Sequence, residues 1–239
     1  MKAIAIFDFD GTIADTFNTG AMLINHFAER FGYKKIDFAN NKDLSARQLI
    51  KMANVKFWHI PRLVRFFRKE SEKRSHEIKP FDFIPNIMAQ LNQMCDMGIL
   101  TTNSAVTVNN FLKDNQLDNY FSFIKTDVPL FGKKRALRRV KRQLLKRYTH
   151  IIYIGDEIRD IEACRKADID IVSVSWGYNS YKALKELNPI TAETPEQLFE
   201  LLCKKISYDL NSKSNTTGAS SIVSPVIGSA PKVIVMENV

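Results

Sequence analysis

The chain has 239 residues, 45% of them apolar, which suits one ordinary domain with a small insert and excludes a disordered composition. Its 35 Lys and Arg outnumber 26 Asp and Glu, and the net charge of +9 favours anionic partners: phosphorylated small molecules, nucleic acid or an anionic surface. Three widely spaced cysteines, Cys95, Cys164 and Cys203, form neither a disulfide framework nor a paired metal motif. The apolar run before Asp8 is too short for a signal peptide, and no run approaches the ~18 apolar residues of a spanning helix. A soluble, cytoplasmic protein is expected.

Residues 3–7 are apolar and stop at an acidic, glycine-containing turn, the pattern of a buried strand feeding a loop. Residues 17–31 have helical spacing, with Met22, Leu23, Phe27 and Phe31 on one face and Gly32 as a stop. Residues 33–79 keep helical spacing (Leu49, Ile50, Ala53; Leu63, Val64, Phe67) and show no strand, and Arg62 to Lys79 is strongly basic. Residues 17–79 therefore read as a small helical cap inserted after the first strand, with Pro80 and Pro85 marking its exit.

From there helices and strands alternate. Helices are predicted over 85–95, 105–114, 133–147, 157–167, 179–187 and 195–206, and strands over 98–102, 121–125, 151–155 and 169–175. This alternation predicts an α/β fold, a Rossmann-like three-layer α/β/α core whose parallel sheet is covered on both faces. The core comprises residues 1–16 and 80–206. Near Ser207 the composition turns to Ser, Asn, Thr and Gly, so residues 207–239 read as a flexible polar tail, within which Val233-Ile234-Val235 has the makings of an edge strand.

Four strand ends carry polar chemistry. Asp8 and Asp10 follow the first strand, on one side of an extended segment, where two carboxylates repel unless a hard cation relieves them. Gly11 permits a tight turn and Thr12 a cap; closing a strand and opening a turn is the plainer use of the same residues. Thr101-Thr102-Asn103-Ser104 ends a second strand before a helix, a pattern suited either to holding phosphoryl oxygens or to capping the helix. Phe131-Gly132-Lys133-Lys134 opens a helix that carries nine basic residues and no acid over Lys133–Arg147, with Leu137, Val140, Leu144 and Leu145 as its apolar stripe. Gly155-Asp156-Glu157-Ile158-Arg159-Asp160 ends another strand, where Asp156 has the chemistry of a metal ligand and Asp160 lies one helical turn on.

The run DFDGT at Asp8–Thr12, Thr102-Asn103, a lysine at Lys133 and GDEIRD at Gly155–Asp160, in that order over roughly residues 1–205, resembles the haloacid dehalogenase-like hydrolases. Within that superfamily the chain is similar to the phosphoglycolate phosphatase-like branch, whose helical cap lies between the first and second motifs. The resemblance implies that Asp8 attacks phosphorus and becomes an aspartyl-phosphate, and that Asp10 protonates the leaving alcohol and then activates water. It implies that Thr102 and Asn103, beside Gly11, hold the phosphoryl group and that Lys133 balances charge. Asp8, the Asp10 backbone carbonyl and Asp156 would hold Mg²⁺, with Glu157 or Asp160 in support. Many relatives have proline after the lysine; here Lys134 follows, and it competes with Lys133 for the role.

Asp10 selects the chemistry. A halide leaves without a proton, whereas an alcohol needs an acid, so the second aspartate implies phosphate esters. The expected function is hydrolysis of a small phosphorylated metabolite, 2-phosphoglycolate being one candidate because the cap is basic. A phosphomutase of the β-phosphoglucomutase type uses the same four motifs. A nucleic-acid-binding role for the basic faces is the reading from another class, unsupported by any nucleic-acid motif. Oligomeric state is not legible.

Overall fold

The structure is a computed structural model, and it describes residues 2–214. The expected edge strand at Val233-Ile234-Val235 lies outside the described residues. Six parallel strands form one sheet: β1 (Ala3–Phe7), β2 (Asp96–Leu100), β3 (Phe121–Lys125), β4 (His150–Gly155), β5 (Asp170–Val174) and β6 (Thr191–Ala192), in the order β3-β2-β1-β4-β5-β6. All five residues of β1 are buried, and they alternate between two cores. Ala3, Ala5 and Phe7 pack with α5 (Ile84–Leu91), α6 (Ala105–Asp114) and α10 (Pro195–Ser214). Ile4 and Ile6 pack with α7 (Lys133–Leu144) and α8 (Ile158–Ala167) on the other face, while α9 (Tyr181–Leu187) rests on α8. An apolar strand without polar alternation is what a doubly covered sheet demands.

The register places Phe7 beside Ile99 of β2 and Ile154 of β4. The residues that follow these three strands therefore emerge together at the carboxyl edge. Strand order runs outward in both directions from β1 and β4, so this edge is the switch point where an open α/β sheet leaves a crevice.

Between β1 and α5 lie four helices, α1 (Phe17–His26), α2 (Ala28–Phe31), α3 (Ala46–Met52) and α4 (Ile60–Lys73), with short 3₁₀ turns among them. They have their own small cluster of Ala28, Tyr33, Ile36, Ala53 and Leu63. The chain leaves and returns side by side: Asp15 N–H donates to the Lys79 carbonyl at 2.9 Å, and Ala14 bridges to Pro80.

Several local expectations need correction. The helix expected over 17–31 breaks at Phe27, whose N–H bonds back to the Ile24 carbonyl at 3.2 Å, and Met22, expected on the apolar face, is 73% exposed. Helix α5 ends at Leu91 rather than 95. Strand β2 occupies 96–100 rather than 98–102, because the chain turns where Thr101 Oγ1 accepts from the Asn103 N–H at 3.0 Å. Helix α7 ends at Leu144, so Leu145 leaves the apolar stripe and is 54% exposed. Helix α10 continues to Ser214, past residue 207 where the polar tail was expected to begin; a helix anchored by buried Leu198 and Leu202 extends through polar residues at little cost. Strand β6 was not expected, since two residues carry no periodicity.

Candidate active site

Asp8 directly continues β1, its N–H donating to the Ile154 carbonyl at 2.8 Å. Its carboxylate is buried and held on both oxygens: Oδ1 accepts from Phe9 N–H at 2.8 Å, and Oδ2 from Lys133 Nζ at 2.6 Å. The turn after it is tight, with Thr12, Ile13 and Ala14 N–H groups all converging on the Phe9 carbonyl. Gly11 makes this turn possible. Its φ is +72°, and a Cβ there would overlap the Asp156 carboxylate and the Tyr178 ring.

Asp10 is turned toward the loop after β2. Both of its oxygens accept from Asn103 Nδ2 at 3.1 Å. The Asn103 amide is oriented from behind, since its Oδ1 accepts from Ser104 N–H at 2.8 Å. Ser104 itself caps α6, accepting from Thr107 N–H at 3.2 Å, so capping and the Asp10 contact fall to different residues. Thr102 lines the same cleft. Burial, and then the neighbouring Asp8 charge, push the Asp10 carboxyl up to about 6.

Lys133 is the first residue of α7 and is buried, whereas Lys134 is exposed. A cation at a helix N-terminus opposes the helix dipole. Two carboxylates offset this: Nζ lies 2.6 Å from Asp8 Oδ2 and 2.5 Å from Asp160 Oδ1. Burial works against the ammonium charge, but Asp160 and Asp8 outweigh it and hold Lys133 above the ordinary lysine range. The geometry therefore brings Lys133, and not Lys134, to Asp8.

Asp156 and Asp160 lie at the end of β4 and in the first turn of α8. Asp156 Oδ1 accepts from Thr12 Oγ1 at 2.8 Å, and Oδ2 from Tyr178 N–H at 2.8 Å. Asp160 Oδ2 accepts from Glu157 N–H at 3.2 Å, which fixes the carboxylate that faces Lys133. Glu157 pairs with Arg159 at 2.5 Å rather than reaching Lys133. Asp8, Asp156 and Asp160 each offer an oxygen within 4.8 Å of the others. Asp10 is outside this group; its expected metal contact is through the backbone carbonyl, not the carboxylate.

The donor set suits a hard divalent cation. All its atoms are carboxylate oxygens. Asp156 is fully buried, and burial followed by the Glu157, Asp8 and Asp160 charges drives its carboxyl well above the ordinary range. A cation beside Asp156 would relieve that repulsion. Asp8 and Asp160 share the Lys133 ammonium, whereas Asp156 accepts from the Thr12 hydroxyl and the Tyr178 N–H.

The segment after β5 is the part sequence reasoning missed. Besides the Tyr178 bond to Asp156, Gly177 has no room for a Cβ against Asp156 and the Gly11 carbonyl. Asn179 Oδ1 accepts from Ile158 N–H at 2.9 Å, and its Nδ2 donates to the Lys42 and Leu44 carbonyls at 2.6 and 2.9 Å. Lys42 answers with a bond to the Gly177 carbonyl at 3.0 Å. One available signal was positional: this segment also follows a strand end and contains glycine. Arg68 of α4 belongs to the basic segment expected to favour a second anionic group, whereas Arg159 of α8 had no expected role. Both line the cleft with Asp10 and Asn103, and each has a buried Nε–H without a partner.

The haloacid dehalogenase-like hydrolase family profile matches residues 5–174. A phosphoglycolate phosphatase of Synechococcus elongatus is 32% identical over 206 residues, covering 84% of this chain and 96% of that protein. The pyrophosphatase PpaX of Oceanobacillus iheyensis is 25% identical over 193 residues, 77% of this chain and 88% of the other. Among solved structures, a predicted phosphatase from Clostridium acetobutylicum superposes with a TM-score of 0.72 at 19% identity, covering 85% of this chain and 99% of that one. That likeness shows the shared fold.

Proposed function

This chain belongs to the haloacid dehalogenase-like hydrolase family and is a phosphatase of its phosphoglycolate phosphatase-like branch, and on that premise we propose a Mg²⁺-dependent hydrolysis carried by Asp8 and Asp10. Asp8 attacks phosphorus as the ester P–O bond breaks, and Asp10 gives its proton to the departing oxygen. Asp10 then takes a proton from water, whose oxygen attacks phosphorus and releases phosphate from Asp8. One carboxyl serves as acid and then as base, which suits a group held at about 6. Thr102, Asn103 and the backbone near Gly11 orient the phosphoryl oxygens, and Lys133 offsets their charge. Asp160 and Glu157 act as positioning residues, the first on Lys133 and the second on Arg159. Asp8, Asp156 and the Asp10 carbonyl would hold Mg²⁺, which would supply the positive charge that lets an anionic carboxylate approach an anionic phosphate.

We further propose that residues 17–79 act as a cap over a core of residues 1–16 and 80–206, that the protein works in the cytoplasm, and that 2-phosphoglycolate is one of the esters it accepts. The name of the Synechococcus relative supports that substrate. So do the Arg68 and Arg159 guanidinium groups in the cleft, which suit a second anionic group. Among the described residues no helix is long and apolar enough to cross a membrane, and all three cysteines are free thiols.

The observation that carries the reading is the buried Asp8–Lys133–Asp160 relay beside an Asp10 oriented by Asn103. Phosphate release from an aryl phosphate, with Mg²⁺, with EDTA and for Asp8→Asn, tests it. Full activity of Asp8→Asn removes the nucleophile, and indifference to EDTA removes the metal. A panel of phosphorylated metabolites then ranks 2-phosphoglycolate against other esters.

A further inference from the structure

The cleft that contains Asp10, Thr102 and Asn103 does not end at the polar groups. The same cavity, of about 340 Å³, continues among Leu23, Ile24, Leu49, Ile50, Val64 and Phe67 of α1, α3 and α4. Helical spacing would send these residues to a core, yet among them only Leu23 is buried. Ile24, Leu49 and Phe67 are partly buried at the edge of the cap's small cluster. The same side chains also line the cavity. An apolar chamber with a few polar groups at one side is the form of a small-molecule site. The two-carbon leaving group of 2-phosphoglycolate fills little of it.

We propose that this chamber receives the apolar body of the substrate's alcohol, so that the enzyme acts on phosphate monoesters of alkyl or aryl alcohols larger than glycolate. The occupant is set by continuity: the chamber shares its boundary with the carboxylate assigned to protonate the leaving oxygen, so what enters it is attached to that oxygen. Arg68 and Arg159 stand in the same cavity and tolerate a polar group on the alcohol. The inference rests on the phosphatase reading of Asp8 and Asp10 for turnover, but not for binding.

The experiment separates the two. In buffer with Mg²⁺, the Kd of methyl- through hexylphosphonate is measured by calorimetry, these being non-hydrolysable. Each added methylene tightens Kd about fourfold until the chamber is full, as expected for a methylene leaving water. In parallel, kcat/KM for ethyl through hexyl phosphate rises by a similar factor per step, the leaving-group acidity being nearly constant along that series. Val64→Trp, which occupies the chamber, flattens the dependence on length. A Kd independent of chain length overturns the proposal, whatever is hydrolysed. Tightening without hydrolysis of any ester upholds the chamber and overturns the phosphatase chemistry.

Discussion

Asn103 Nδ2 lies 3.1 Å from both carboxylate oxygens of Asp10, across 93 residues of sequence. This one amide joins the loop after β2 to the loop after β1. It also counteracts, in part, the burial that raises the Asp10 carboxyl. Removing it takes from Asp10 the amide that contacts both of its oxygens, and from the phosphoryl group one of its proposed ligands. Asn103→Ala should lower kcat by roughly 10²–10³, the usual cost of one preorganised donor. Steady-state kinetics on an aryl phosphate checks this, with circular dichroism confirming the fold; a loss below threefold would remove Asn103 from the site.

Lys133 and Lys134 are adjacent but physically unlike. Lys133→Met strands two buried carboxylates, Asp8 and Asp160, and should cost about 3–5 kcal/mol of stability as well as activity. Lys134→Met changes an exposed side chain and should stay within about 0.5 kcal/mol. Urea denaturation of the two variants measures the difference, and equal midpoints would contradict the relay.

The pH dependence of the metal-free protein follows from Asp10. Its carboxyl is raised from its ordinary 3.8 to about 6, so the folded chain binds this proton more tightly than the unfolded chain does. The charged form is penalised in the fold. Stability from this group is therefore full at low pH and is lost as pH rises through that window. Without divalent cations, Asp10→Asn should be more stable than wild type at pH 7, and the advantage should vanish toward pH 4. Thermal unfolding across that range tests the sign. Mg²⁺ added at pH 7 should raise the wild-type Tm, since a cation that binds only the folded site stabilises it.

Arg68 reaches from α4 to the Val128 carbonyl at 2.8 Å and lines the cleft that holds Asp10 and Asn103. A carboxylate on the substrate is a natural partner for its guanidinium. Arg68→Met should lower kcat/KM for 2-phosphoglycolate about tenfold more than for ethyl phosphate, consistent with one charge-assisted hydrogen bond. Equal losses for both esters would assign Arg68 to cap anchoring alone.

The strand-end motifs were legible because each couples an apolar run to polar residues, and a parallel sheet brings such ends to one edge. Asp8, Asp10, Asn103, Lys133, Asp156 and Asp160 all stand there. The loop Ser175–Ser180 was not legible in the same way. Its contribution to Asp156 is a backbone N–H from Tyr178, which any residue type supplies, so composition leaves no trace of it. Arg159 was hidden differently: on paper it is one cation among many on amphipathic helices, and only packing shows that it is enclosed beside Glu157.

By itself, the sequence determined the class of fold and the chemical types available, because hydrophobic periodicity and the order of polar strand ends are local properties of the chain. Tertiary structure alone decided which of two adjacent lysines meets Asp8, that Asn103 addresses Asp10 while Ser104 caps the helix, and that apolar residues of α1, α3 and α4 line one cavity with Asp10. Those outcomes depend on distances between segments far apart in sequence and on which side chains lose water, and no local pattern encodes either.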